Sequence, residues 1–69
     1  MTIKFNAENY EKARHKRCLS HVEVARQVGV TRDSIYKWMS GDRFPTTGHL
    51  EKLSQALNIR ASKLIKQED

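Results

Sequence analysis

The residues best suited to chemistry lie in one short run, "TRDSIYKWMSG", spanning 31–41. Read as a helix at about 100° per residue, it gathers Thr31, Ile35, Trp38 and Met39 on one side. Asp33, Tyr36, Lys37 and Ser40 fall on the other, with Arg32 on the flank of the first turn. A guanidinium, a carboxylate, a phenol and an ammonium on one exposed face can make many hydrogen bonds. They suit recognition of a polar partner rather than bond making. The sequence offers no nucleophile–base pair, no paired carboxylates and no phosphate-cradling glycine loop, so no enzyme is expected. His15, His21 and His49 lack metal-ligand spacing with each other or with acids, and Cys18 is the single cysteine. No metal site, cofactor or intrachain disulfide is therefore expected.

The elements that must position that face are short. The chain has 69 residues, which is one domain with a modest core. Asn6 is an N-cap for a helix over about 7–18, with Phe5 and Tyr10 at the spacing of a hydrophobic staple. Tyr10 and Ala13 point inward, and Cys18 is expected as a small, half-buried residue in a reducing compartment. Ser20 and Glu23 form a capping box for a helix over 21–28, whose Val24, Ala25 and Val28 share a face. Gly29 closes it in the left-handed conformation. Thr31 caps the helix over 32–40 and Gly41 ends it. The stretch "GDRFP" is a loop, and Thr46 caps a helix over 47–57 with Leu50, Leu53 and Leu57 inward. Ile59, Leu64 and Ile65 suggest a fifth helix over 61–66. A C-terminal strand is the alternative, and "TIKF" at 2–5 is too short to assign as a strand. The tail "KQED" is expected to fray. The expectation is an all-α bundle of five short helices.

Two helices joined at Gly29-Val30-Thr31 have the helix-turn-helix pattern. Ala25 is small where the two helices cross, and Val30 drops toward the core. Thirteen Lys and Arg against eight Asp and Glu give a net charge of +5, which suits a polyanionic partner. The match then extends well beyond the turn. Leu19-Ser20, Ala25, Gly29-Val30-Thr31, Ile35, Trp38, Ser40-Gly41, Pro45, Leu50, Leu53, Ala56-Leu57 and Ile59 run in register. Over Leu19 to Ile59 the chain resembles the Cro/C1 (XRE-like) helix-turn-helix family of phage repressors and related bacterial regulators.

That resemblance implies a lambda repressor-like DNA-binding fold, with residues about 20–40 as the helix-turn-helix and 58–66 as a dimerisation segment. It implies that the helix over 32–40 enters a DNA major groove with its N-terminus leading. Arg32 and Lys37 then fall at base-reading positions, and arginine pairs well with guanine. A weak bridge from Asp33 to Lys37 along the helix is the alternative for Lys37, and both can hold if the pair opens on binding. Asp33 can accept from a cytosine amine or simply favour the positive helix N-terminus. Tyr36 can meet a thymine methyl or a phosphate, whereas Trp38 is core. His21, Arg43 and Ser40 are phosphate candidates, with Lys16 and Arg17 weaker ones. One departure stands out. The family often pairs an arginine late in the first helix with a glutamate before the Ser-Gly turn. Here Arg14 is present but the glutamate position is Met39, which frees Arg14 for a phosphate or for another carboxylate such as Glu23.

The expected function is a sequence-specific transcriptional regulator, most simply a repressor. One module covers little DNA, so a homodimer on a pseudo-palindromic operator is expected. Phe44, Ile59, Leu64 and Ile65 are the dimer-interface candidates. The alternative is an antitoxin-like interaction module that also binds its own promoter, although little chain follows Ile59. No small-molecule ligand is expected. No apolar run nears the ~20 residues of a membrane span. The N-terminus lacks the features of a signal peptide, so a cytoplasmic protein acting on host or nucleoid DNA is expected.

Overall fold

Each helix begins at a side chain that can cap it, and three of the four are closed by a left-handed residue. The computed structural model describes residues 2–68, with side chains described for 3–67. Strand β1 (Thr2–Phe5) leads into α1 (Ala7–Lys16), α2 (His21–Val28), α3 (Arg32–Ser40) and α4 (Thr47–Leu57). A single 3₁₀ turn, Ala61–Leu64, then feeds β2 (Ile65–Glu68). Asn6 Oδ1 accepts from the Asn9 N–H at 3.0 Å, and Ser20 Oγ from the Glu23 N–H at 3.1 Å. Thr31 and Thr46 accept from Ser34 and His49 N–H groups, each at 3.2 Å. Each such cap contributes ~1 kcal/mol by satisfying an amide the helix leaves unpaired. The reciprocal arm expected of the Ser20–Glu23 box is not made, because the Glu23 carboxylate takes Arg26 at 3.0 Å.

Gly29 closes α2 at φ +87° and Gly41 closes α3 at φ +91°. A β-carbon at either would meet nothing within 4 Å, so the requirement is conformational rather than steric. Asn58 closes α4 at φ +56°, a non-glycine residue that tolerates this region. The first helix stops at Lys16 instead of running to 18. Cys18 itself adopts φ +56° and is exposed, not half-buried.

The fold is not all-α. Four α-helices accompany a two-stranded antiparallel sheet, and the expected fifth helix is only the 3₁₀ turn. Strand register pairs Thr2 with Glu68, Ile3 with Gln67, Lys4 with Lys66 and Phe5 with Ile65. Lys66, Gln67 and Glu68 are thus in strand rather than frayed, while Asp69 lies outside the described residues. Two bonds fasten the C-terminal turn to α1. The Asn6 N–H donates to the Leu64 carbonyl at 2.7 Å, and Asn9 Nδ2 donates to the Lys63 carbonyl at 2.9 Å. Phe5 then packs under the helices, its ring 5.7 Å from Tyr10 and 6.2 Å from Trp38. The staple expected between Phe5 and Tyr10 is therefore formed, and the strand continues it.

The core collects residues from every element but β2: Phe5, Tyr10, Val24, Val28, Ile35, Trp38, Leu53, Leu57 and Leu64, with Ala13 and Ala25 at close approaches. Each large side chain contributes ~1.5–3 kcal/mol by leaving water, largely offset by lost chain entropy. The radius of gyration is 10.9 Å, that of one compact domain of this length, about 11 Å. Among the described residues no helix is long and apolar enough to cross a membrane.

Candidate nucleic-acid interface

Helix α3 lies on the body through Ile35 and Trp38, both buried, and through half-buried Met39. Trp38 meets His49 of α4 at 5.5 Å between ring centroids, which fixes the rotation of α3 about its axis. Thr31, expected on the same side, is exposed and serves as the cap. With that face spent on the core, Arg32, Asp33, Tyr36, Lys37 and Ser40 are left exposed together. Asp33 stands in the first turn, where a carboxylate favours the positive end of the helix. Among the ion pairs of the described residues, none joins Asp33 to Lys37. The Arg32 guanidinium instead lies 5.8 Å from the centre of the Tyr36 ring, within cation–π range.

The candidate phosphate-facing groups divide. Arg43 is exposed in the loop after α3, and its backbone N–H donates to the Lys37 carbonyl at 3.2 Å. That bond ties the loop to the end of the helix. Lys16 and Arg17 are exposed at the end of α1. The Ser40 hydroxyl donates to the Lys37 carbonyl at 3.1 Å, although its side chain remains at the surface. Arg14 is not free. Its Nη1 donates to the Leu19 carbonyl at 2.8 Å and its Nη2 to Glu11 Oε2 at 2.6 Å. Its carboxylate partner is therefore Glu11, one turn earlier on the same helix, and Glu23 is taken by Arg26. The hydrogen bond from Arg14 holds the Glu11 carboxyl below its usual value, against the opposing effect of burial.

His21 is also drawn inward. Its Nδ1 is 2.9 Å from the Tyr10 hydroxyl and its Nε2 is 3.3 Å from Glu11 Oε1. Its ring stacks on Tyr10 at 5.7 Å and takes Tyr36 edge-on at 5.2 Å. Burial first, then the positive charge of Arg14, pushes its pKa below the ordinary histidine value. Burial likewise pushes the Tyr10 phenol up, so it stays a neutral donor. From sequence Tyr10 has its staple and core places alone, and Glu11 has no role. A signal for the first existed, since a buried tyrosine hydroxyl requires a partner.

Of the interface candidates, Phe44 is exposed, and it lines an open groove of about 610 Å³ with Ile3, Phe5 and Met39. Ile59 and Ile65 are half-buried. Leu64 is fully buried inside its own chain, so its side chain is unavailable to a second copy. Among the described residues no cluster of His, Cys, Asp or Glu could hold a metal.

A capped, glycine-closed helix pair that braces an exposed polar helix defines a helix-turn-helix protein. The chain belongs to the Cro/C1 (XRE-like) helix-turn-helix family, whose sequence model matches residues 11–64. No curated protein matches it by sequence. Among solved structures it is similar to a candidate DNA-binding protein from Bacteroides fragilis. That match has a TM-score of 0.76 at 20% identity, over 94% of this chain and 100% of that one. It is similar to the DNA-binding domain of the P22 C2 repressor, with TM-score 0.75, 24% identity, and 90% and 82% of the two chains covered. It also resembles the SOS-response transcriptional repressor LexA from Eubacterium rectale, with TM-score 0.72 and 27% identity over 90% of this chain and 66% of that one.

Proposed function

We propose that this protein is a sequence-specific double-stranded DNA-binding repressor, acting as a homodimer on a pseudo-palindromic operator in the cytoplasm. The observation that carries this reading is the exposed row of Arg32, Asp33, Tyr36 and Lys37 on a helix whose other face is locked into the core. Arg32 and Lys37 read base edges in the major groove, and Tyr36 supplies a flat surface beside them. Arg43, Lys16 and Ser40 anchor phosphates on either side, and the net charge of +5 draws the chain to the duplex. Arg14, engaged with Glu11 and Leu19, drops out of the phosphate set. The dimer contact is built around exposed Phe44, with Ile59 and Ile65 contributing their half-buried surfaces.

Selection of bound duplexes from a random pool tests this. The expected product is a two-fold related site with half-sites about one helical turn, ~34–36 Å, apart. Sedimentation on that site should find two chains per duplex. A pool with no enriched sequence, or a saturated one-to-one complex, overturns the proposal.

A further inference from the structure

His21 sits where α1, α2 and α3 meet. From α1 it faces Tyr10, Glu11, Arg14 and, more distantly, His15; from α3 it faces Tyr36 and Arg32. Its side chain is 19% exposed. The contacts form a continuous chain: Tyr10 hydroxyl to His21 Nδ1, His21 ring edge-to-face with Tyr36, and Tyr36 ring beside the Arg32 guanidinium. The first link lies in the core and the last lies on the exposed face of α3.

We propose that His21 is the positioning residue of the recognition face: braced by Tyr10, it sets the orientation of Tyr36, and Tyr36 in turn sets Arg32. The inference rests on the DNA-binding reading above and says how that reading is tuned. With the Tyr10 hydroxyl donating to Nδ1, the imidazole proton sits on Nε2 and points toward Glu11 Oε1. That oxygen is buried and makes no hydrogen bond among the described residues, with His21 Nε2 standing 3.3 Å away. Protonation at Nδ1 removes the acceptor that Tyr10 uses and draws the ring toward the Glu11 carboxylate. Because the same imidazole also packs against the Tyr36 ring, the reading face responds to the protonation of a residue that need not touch DNA. Arg32 and Arg14 oppose that proton, while Glu11 favours it.

The test uses the full chain in two arms. In the first, the ring protons of each histidine and of Tyr36 are followed by NMR from pH 8 to pH 4.5 without DNA. The Tyr36 ring is expected to shift with the midpoint of His21. Tyr10→Phe is expected to raise the His21 midpoint, since the donor to its neutral form is gone. In the second arm, affinity for a pool-selected duplex is divided by affinity for a mixed-sequence duplex of equal length. That ratio should fall roughly 2- to 10-fold through the His21 midpoint, the size of one aromatic edge contact. His21→Asn keeps an acceptor for Tyr10 but lacks the ring, and should show the lowered ratio at every pH. A Tyr36 ring that ignores the His21 midpoint overturns the proposal without need of any variant. So does a His21→Asn ratio equal to wild type. Failure of the wild type to prefer the selected duplex overturns the DNA reading instead, and the ring titration distinguishes the two.

Discussion

The Arg14 guanidinium donates to the Leu19 carbonyl at 2.8 Å, and so binds the end of α1 to the residue just before the helix-turn-helix begins. The same side chain holds Glu11 at 2.6 Å. Met39 stands where the resemblance implies a glutamate, and the carboxylate that Arg14 holds is Glu11 of its own helix. Met39 meanwhile packs against the core.

Arg14→Met should therefore lower stability by about 1.5–3 kcal/mol, the scale of charge-assisted hydrogen bonds lost from a partly buried site. Urea unfolding measures it. The salt slope of DNA binding should stay at the wild-type value, because no phosphate contact has been removed. A stable variant with a slope reduced by about one ion would return Arg14 to the DNA surface.

Trp38 is 4% exposed and joins three parts of the fold: α3 itself, Phe5 of β1 and His49 of α4. Trp38→Ala should cost ~3–5 kcal/mol, enough to approach the whole stability of a small domain. Thermal unfolding of the variant decides. A folded variant with near-normal stability and lost DNA binding would mean that the indole faces the duplex.

The parts of this fold that local rules govern were readable in advance, and the parts set by distant partners were not. Asn6, Ser20, Thr31 and Thr46 announce helix starts because a short side-chain oxygen does its work within three residues. The apolar spacing of Ile35 and Trp38 announces which face of α3 is buried, and so which face is free. The sheet is different. Phe5 opposes Ile65 across nearly the whole chain, and neither four-residue strand has a pattern long enough to declare itself. Leu64 fits a dimer surface on spacing alone. Only the closure of the 3₁₀ turn onto Asn6 shows that its own chain buries it. His21 and Arg14 were placed at the surface for the same reason. His21's partner Tyr10 is on another helix. Arg14 has Glu11 three residues earlier on its own helix and the Leu19 carbonyl beyond the turn, and only the latter depends on how the chain turns after α1.

Acid should destabilise the protein in two stages. The folded-state pKa of His21 is depressed, so its contribution is fully present above the unfolded value of about 6.5 and is lost as pH falls through the folded value. Glu11 is depressed below 4.5, so its contribution is present above that pH and is lost lower down. Unfolding temperature measured from pH 8 to pH 3 should first dip below about pH 6.5 and then fall again below about pH 4.5. His21→Asn should remove the first dip and leave the second. A protein that grows more stable between pH 7 and pH 5.5 would contradict the neutral, buried imidazole.

Base reading and phosphate anchoring should separate by residue. Arg32 and Lys37 stand on the exposed face of α3, whereas Arg43 is in the loop pinned to its end. Loss of a base reader costs ~1–3 kcal/mol on the true site and relaxes preference at one base position. Loss of an anchor weakens all sequences alike and lowers the salt slope by about one ion. Arg32→Ala and Lys37→Ala should therefore narrow the gap between operator and random DNA, and Arg43→Ala should lower both affinities together. Arg32→Ala also frees the Tyr36 ring from its cation, so its loss of preference should exceed that of Lys37→Ala. Each variant is to be measured on both duplexes across a salt series once circular dichroism shows it folded. If both α3 variants keep the wild-type ratio, α3 is not the reader. Recognition would then have to come from the shape and deformability of the duplex or from another segment.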